Sequence, residues 1–165
     1  MARATLALPS LKATVGLEVH VQLATRTKLF SSAPSESSTG PNEGVALLDA
    51  AVPGTLPLLN RQALVHREPV ATAGHFAFHP LSNGEDKKTV DILQVQLEQD
   101  SGKSLHEGSH SLIDLNRSCA LVEIVTGPCL GGGAEAASFI RQLRLLLIHH
   151  GITHGLMHSK MLTHL

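Results

Sequence analysis

The chain has 165 residues, enough for one domain with a real core, and 42% hydrophobic against 16% charged side chains argues for a globular chain over a disordered one. Its formal charge of −1 gives no global attraction to nucleic acid, so contact with phosphates needs a local basic patch or a partner subunit. No apolar run reaches the length of a membrane span, and two cysteines, Cys119 and Cys129, cannot build a disulfide framework.

Residues 1–12 contain Arg3 and Lys12, alanines and serine but no acid, a composition compatible with the remnant of a transit peptide. In 15–23, Val15, Leu17, Val19, Val21 and Leu23 alternate with Gly16, Glu18, His20 and Gln22, which predicts a strand with one apolar face. The other face carries a carboxylate and an imidazole side by side. A hard or borderline cation accepts both kinds of ligand; on residue types alone, a merely solvated strand face competes with that reading.

Residues 31–44 are rich in Ser, Pro, Gly and Glu and read as a loop, and Pro53, Gly54 and Pro57 limit 45–52 to a short element. Alternation returns in 90–98, with Leu93, Val95 and Leu97 opposite Gln94, Gln96 and Glu98. The β-branched run 120–126 predicts a third strand with Glu123 in its middle. Residues 134–150 form the helix: Ala136, Phe139, Ile140, Leu143, Leu146, Leu147 and His150 recur on one face, Arg141 and Arg144 lie outside it, and Gly151 ends it. Together these elements predict an α+β domain, a mostly antiparallel sheet whose apolar side is covered by the helix.

Other residues invite chemistry. Gly102-Lys103-Ser104 has the end of a phosphate-binding loop, but Leu97 stands where the first glycine of that loop belongs, so the motif fails on its own geometry. Lys103 is then either a point charge for a phosphate or a surface lysine in a turn. Asp114, Asn116 and Arg117 either position a substrate or hold a loop through side-chain hydrogen bonds; the structural role is favoured for Asp114, and Arg117 stays open. His150, His154 and His158 have helical ligand spacing, yet Gly151 and Gly155 interrupt the helix that would align them.

Six stretches carry a resemblance: VGLEVHVQL (15–23), TKLFSSAPS (27–35), LLDAAVPGTLPLLNR (47–61), LEQDSGKSLH (97–106), SLIDLNR (111–117) and LVEIV (121–125). In content and order they resemble the amino-terminal cradle domain of the B subunit of the aspartyl/glutamyl-tRNA(Asn/Gln) amidotransferases, the GatB family, most of all its mitochondrial glutamyl-tRNA(Gln) form. The resemblance implies a truncated cradle domain over 15–152, with 1–14 an N-terminal segment and 153–165 a divergent tail. It also implies a kinase-like activity. ATP would phosphorylate the side-chain carboxylate of glutamate on Glu-tRNA(Gln), and ammonia from the A subunit would displace the phosphate within a heterotrimer of A, B and C subunits in the mitochondrial matrix. Glu18, His20 and Glu98 would hold Mg2+, with manganese or zinc compatible with the imidazole, and Lys103 would offset nucleotide charge.

The departures matter too. Bacterial relatives often place cysteine pairs in the region matching 29–53; serine, alanine and aspartate stand here, which rules out a zinc knot. The family's aromatic-rich block after Arg61 is missing, since the chain has no Tyr or Trp, and an acidic segment after the helix is missing as well. The expectation is a splice variant, fragment or imperfect gene model that is a poor catalyst, with apolar sheet surface uncovered. Two alternatives stand beside it: an inactive module that binds the A subunit, and an unrelated small binding domain.

Overall fold

The three alternating stretches become the inner strands of one sheet. The computed structural model describes residues 13–35, 40–63, 71–80, 87–117, 119–155 and 161–164. The transit-peptide reading of 1–12 and His158 fall outside them. Strands β1 (Glu18–Gln22), β2 (Ala71–Phe78), β3 (Lys88–Gln99), β6 (Ala120–Thr126) and β7 (Met161–His164) form a five-stranded sheet in the order β2-β3-β6-β1-β7, every neighbouring pair antiparallel. A separate hairpin pairs β4 (Lys103–Glu107) with β5 (His110–Asp114), and α1 spans Gly133–His149. The α+β class and the covering helix are as the sequence predicts.

β6 is the central strand of this arrangement and is apolar and β-branched almost throughout, which suits packing against neighbours on both edges. Leu17, Val19 and Val21 from the β1 segment, Val90 from β3 and Ile124 from β6 are buried with Phe139, Leu143 and Leu147 of α1. Two of the chain's four phenylalanines, Phe76 and Phe78 of β2, meet Phe139 edge-on at 5.6 and 5.7 Å between ring centroids. Such pairs contribute about 0.5–1.5 kcal/mol each beyond area burial. Strand β2 thus anchors the helix.

Two expected core positions are corrected. Leu93 is 52% exposed, because the ladder shifts register between Ile92 and Gln94; the extra residue breaks the alternation, so Val90 and Ile92 serve the core while Leu93 turns outward. Leu146 is exposed as well, at the margin of an apolar stripe whose centre is Phe139, Leu143 and Leu147. His150 caps the helix from the exposed side. Gly151, at φ 67, completes the termination: its N–H donates to the Ile148 carbonyl and that of Ile152 to the Leu147 carbonyl.

A second, smaller cluster packs Leu29 and Ala63 of the irregular segment 24–63 against Ala120 of β6 and Leu97 of β3. Polar contacts fix the described residues of that segment further. Lys28 is wholly buried, its Nζ 3.1 Å from Asp49 Oδ2 and 2.8 Å from the Leu115 carbonyl. The same Asp49 oxygen accepts from Ser31 Oγ and from the Ala46 N–H. In the cysteine-free region, then, an ion pair gathers the loop. Asn116 adds a second tie, accepting from the Gly44 N–H and donating to the Gly40 carbonyl, while Asp114 accepts from the N–H groups of Asn42 and Asn116.

Removing one partner of a buried pair leaves the other charge stranded. Lys28→Met is expected to destabilise the chain by about 3–5 kcal/mol, and Lys28→Met with Asp49→Leu to recover much of that loss. Urea unfolding of the three proteins measures it.

Candidate cation site on the polar face of the sheet

The face of the sheet turned away from α1 carries the polar halves of the alternations. Across the ladder His20 of β1 stands directly opposite Glu123 of β6, which stands opposite Gln96 of β3. Directly opposed residues share a face, so one straight row crosses three strands. Glu98, two residues along β3, enters diagonally. His20 Nε2 lies 3.3 Å from Glu98 Oε2 and 3.4 Å from Glu123 Oε1. The side chains are 19%, 31% and 15% exposed respectively, half-sheltered at the surface of the sheet.

One donor atom from each residue falls within 4.8 Å of the others, the arrangement of three metal-ligating residues found among the described residues. Ligands of one divalent cation sit at ~2.0–2.6 Å from it, so atoms this close can share an ion without a change of backbone. One imidazole nitrogen and two carboxylate oxygens suit magnesium, manganese or zinc. The residues present fit the cation that the resemblance implies.

The structure brings together two of the three expected ligands, His20 and Glu98. Glu18 shares their face but is exposed and stands opposite Val125, outside the group; Glu123 takes the third place. The reason is topological. β6 lies between β1 and β3 and contributes its own carboxylate. The signal is present in the sequence as a lone glutamate inside an apolar strand, 120–126. Lys103 is exposed at the start of β4, beyond the end of β3, and is not in the group. Asp114 and Asn116 hold the 40–49 loop; the Arg117 side chain lies outside the described residues. His150 and His154 are exposed and form no cluster with the group.

Burial holds the Glu123 carboxyl above the ordinary glutamate range, and the Glu98 charge pushes the same way. His20 pulls it down, and Glu18 adds a further upward push.

Comparisons with known proteins place the chain in a family. The family profile described as the GatB/GatE catalytic domain matches residues 13–67 and 62–162. The chain belongs to that family. The B subunit of the aspartyl/glutamyl-tRNA(Asn/Gln) amidotransferase of Anaplasma phagocytophilum is 38% identical over 176 residues, covering 86% of this chain and 36% of that protein. The B subunits of the mitochondrial glutamyl-tRNA(Gln) amidotransferases of Yarrowia lipolytica and Homo sapiens are 35% and 36% identical, covering 87% and 82% of this chain and 38% and 32% of theirs. The chain therefore spans about a third of the length of these relatives. The Yarrowia alignment runs over 207 positions, more than the chain has residues, so that relative carries residues without a counterpart here. The two profile stretches meet at 62–67, where the sequence points to a missing block.

Because the Glu123 value is raised on folding, its protonated form favours the folded chain; this contribution is full below the unfolded glutamate pKa and is lost as pH rises through the raised one. In EDTA, Glu123→Gln is expected to be more stable than the natural chain at neutral pH, the difference closing as pH falls through that window. It should also bind Mn2+ more weakly. Urea melts across pH and a Mn2+ titration check both.

Proposed function

We propose that this chain is the cation-binding portion of the B component of a tRNA-dependent amidotransferase, acting in ATP-dependent activation of tRNA-borne glutamate on the way to Gln-tRNA(Gln). The observation that carries the reading is the cross-strand meeting of His20, Glu98 and Glu123 within a chain of the GatB/GatE family. Phosphoryl transfer consists mainly of positioning and charge neutralisation, and a bound Mg2+ supplies the latter.

The chain's own residues have separable roles. Glu98 and Glu123 present carboxylate oxygens from adjacent strands, and their combined charge draws a divalent cation rather than a monovalent one. His20 offers an imidazole nitrogen between them. Lys103, on a strand that follows β3 by a short turn, would meet a nucleotide phosphate as a point charge. The backbone ladder fixes the first three groups before any substrate arrives, which is the preorganisation such a reaction needs. Phosphates of ATP and Glu-tRNA(Gln) would need cationic surface from elsewhere, since this chain carries a net charge of −1; the A and C subunits are the proposed partners. Relatives named as mitochondrial support a mitochondrial location, the matrix being the compartment proposed.

A second reading draws on the residues that the Yarrowia relative has and this chain lacks: a non-catalytic module that binds the A subunit. Both substrates must be held in line, and a misplacement of about 1 Å alone can lower a rate ~10²-fold. Amidation by this chain with A and C subunits is therefore expected to lie at least ~10²-fold below that of a full-length relative.

The test is single-turnover ADP formation from ATP with Glu-tRNA(Gln), the A and C subunits and excess chain. Slow ADP formation that needs Glu-tRNA(Gln) and disappears in His20→Ala and Glu98→Gln is the expected result. Equal rates in those variants would overturn the reading. No tRNA-dependent ADP, with the A subunit retained by the immobilised chain, would establish the binding module instead.

A further inference from the structure

We propose that Gln96 is a positioning residue for the cation site, holding Glu98 so that a single carboxylate oxygen faces His20 and Glu123. The inference rests on the reading of that group as a cation site and adds a residue to it. Gln96 lies on the polar face of β3, in the same row as His20 and Glu123, directly opposite Glu123 in the ladder. Its Nε2 donates to Glu98 Oε1 at 3.4 Å, while Glu98 Oε2 is the oxygen 3.3 Å from His20 Nε2. The two oxygens of one carboxylate are thereby assigned different work.

Glu98 needs such a hold. It shares its surroundings with Glu123, and two carboxylates converging on one imidazole repel each other in the absence of a cation. A long side chain on a half-sheltered face would relieve that repulsion by rotating toward water. Strand geometry supplies a remedy, since residues i and i+2 share a face and Gln96 is the nearest same-strand neighbour on that side. An amide suits this position because it donates a hydrogen bond without adding a charge to the site or competing as a cation. Groups of this kind orient metal-binding side chains, and their loss typically costs 10–100-fold in metal affinity, about tenfold at the lower end.

The experiment is a Mn2+ titration of the full 165-residue chain followed by electron paramagnetic resonance, comparing the natural protein with Gln96→Met, Gln96→Ser and His20→Ala. Met keeps the length of Gln and removes the donor; Ser stays polar and falls short of Glu98. Agreement between them separates the lost hydrogen bond from an effect of packing. Both are expected to bind Mn2+ about tenfold more weakly and to change the line shape of the bound ion, with melting in EDTA unaltered. A merely structural role would not move the line shape of a folded variant. Affinity within about twofold of the natural chain in either folded Gln96 variant, with His20→Ala weakened, would overturn the role of Gln96 while leaving the cation site standing. Unchanged binding in His20→Ala would remove the cation site itself, and Gln96's role with it.

Discussion

Register is the constraint on which both halves of this domain depend. Side chains alternate with a period of two, so the pairing that buries Val19 opposite Ile124 also puts His20 opposite Glu123, and the pairing of Val95 with Ile124 puts Gln96 opposite the same glutamate. A slip of one residue would turn the imidazole and carboxylates toward α1 and the valines toward water. The core and the polar cluster are two faces of one decision. The hydrophobic term enforces the register, and the site inherits its geometry without needing strong interactions of its own.

That division explains why a cluster with two mutually repelling carboxylates persists. Its members lie on β1, β3 and β6, and the opposite face of those strands is pinned by Leu17, Val19, Val21, Val90 and Ile124 against Phe139, Leu143 and Leu147. Irregular chain is handled differently. Across 24–63 few side chains reach an apolar layer, and hydrogen bonds to Asp49, Asn116 and Asp114 replace packing. The segment around Leu115 receives ties from Lys28 and from Asn42, so the β4–β5 hairpin, with Lys103 at its start, is joined to the same polar framework.

Much of this is legible in the sequence, for definite physical reasons. Strands 15–23, 90–98 and 120–126 announce themselves because each has a wet or apolar face to satisfy, and Gly151 marks the helix end because a left-handed residue is required there. His20 and Glu98 are identifiable as a pair only through resemblance, since nothing local says that distant strands share a sheet. Strand order is not legible, and without it Glu18, the neighbour of His20 in sequence, outranks Glu123 as a ligand. The bulge at Leu93 is hidden in an unbroken alternation. The β4–β5 hairpin has a signal, Gly108-Ser109 between two polar-apolar runs, in a stretch whose Gly102-Lys103-Ser104 points instead to a phosphate loop.

The buried position of Lys28 has a consequence for its chemistry. A side chain sealed against Asp49 and the Leu115 carbonyl cannot be reached by an acylating reagent, whereas Lys87 is exposed beside β3. Acylation of Lys28 must wait for the stretch around Leu29 and Ala63 to lift from Ala120 and Leu97, and its rate relative to Lys87 is a clock for that opening. Once acylated, the side chain has lost its charge and cannot close over Asp49 again. An opening that is fleeting in the intact chain would thus become permanent, one molecule at a time.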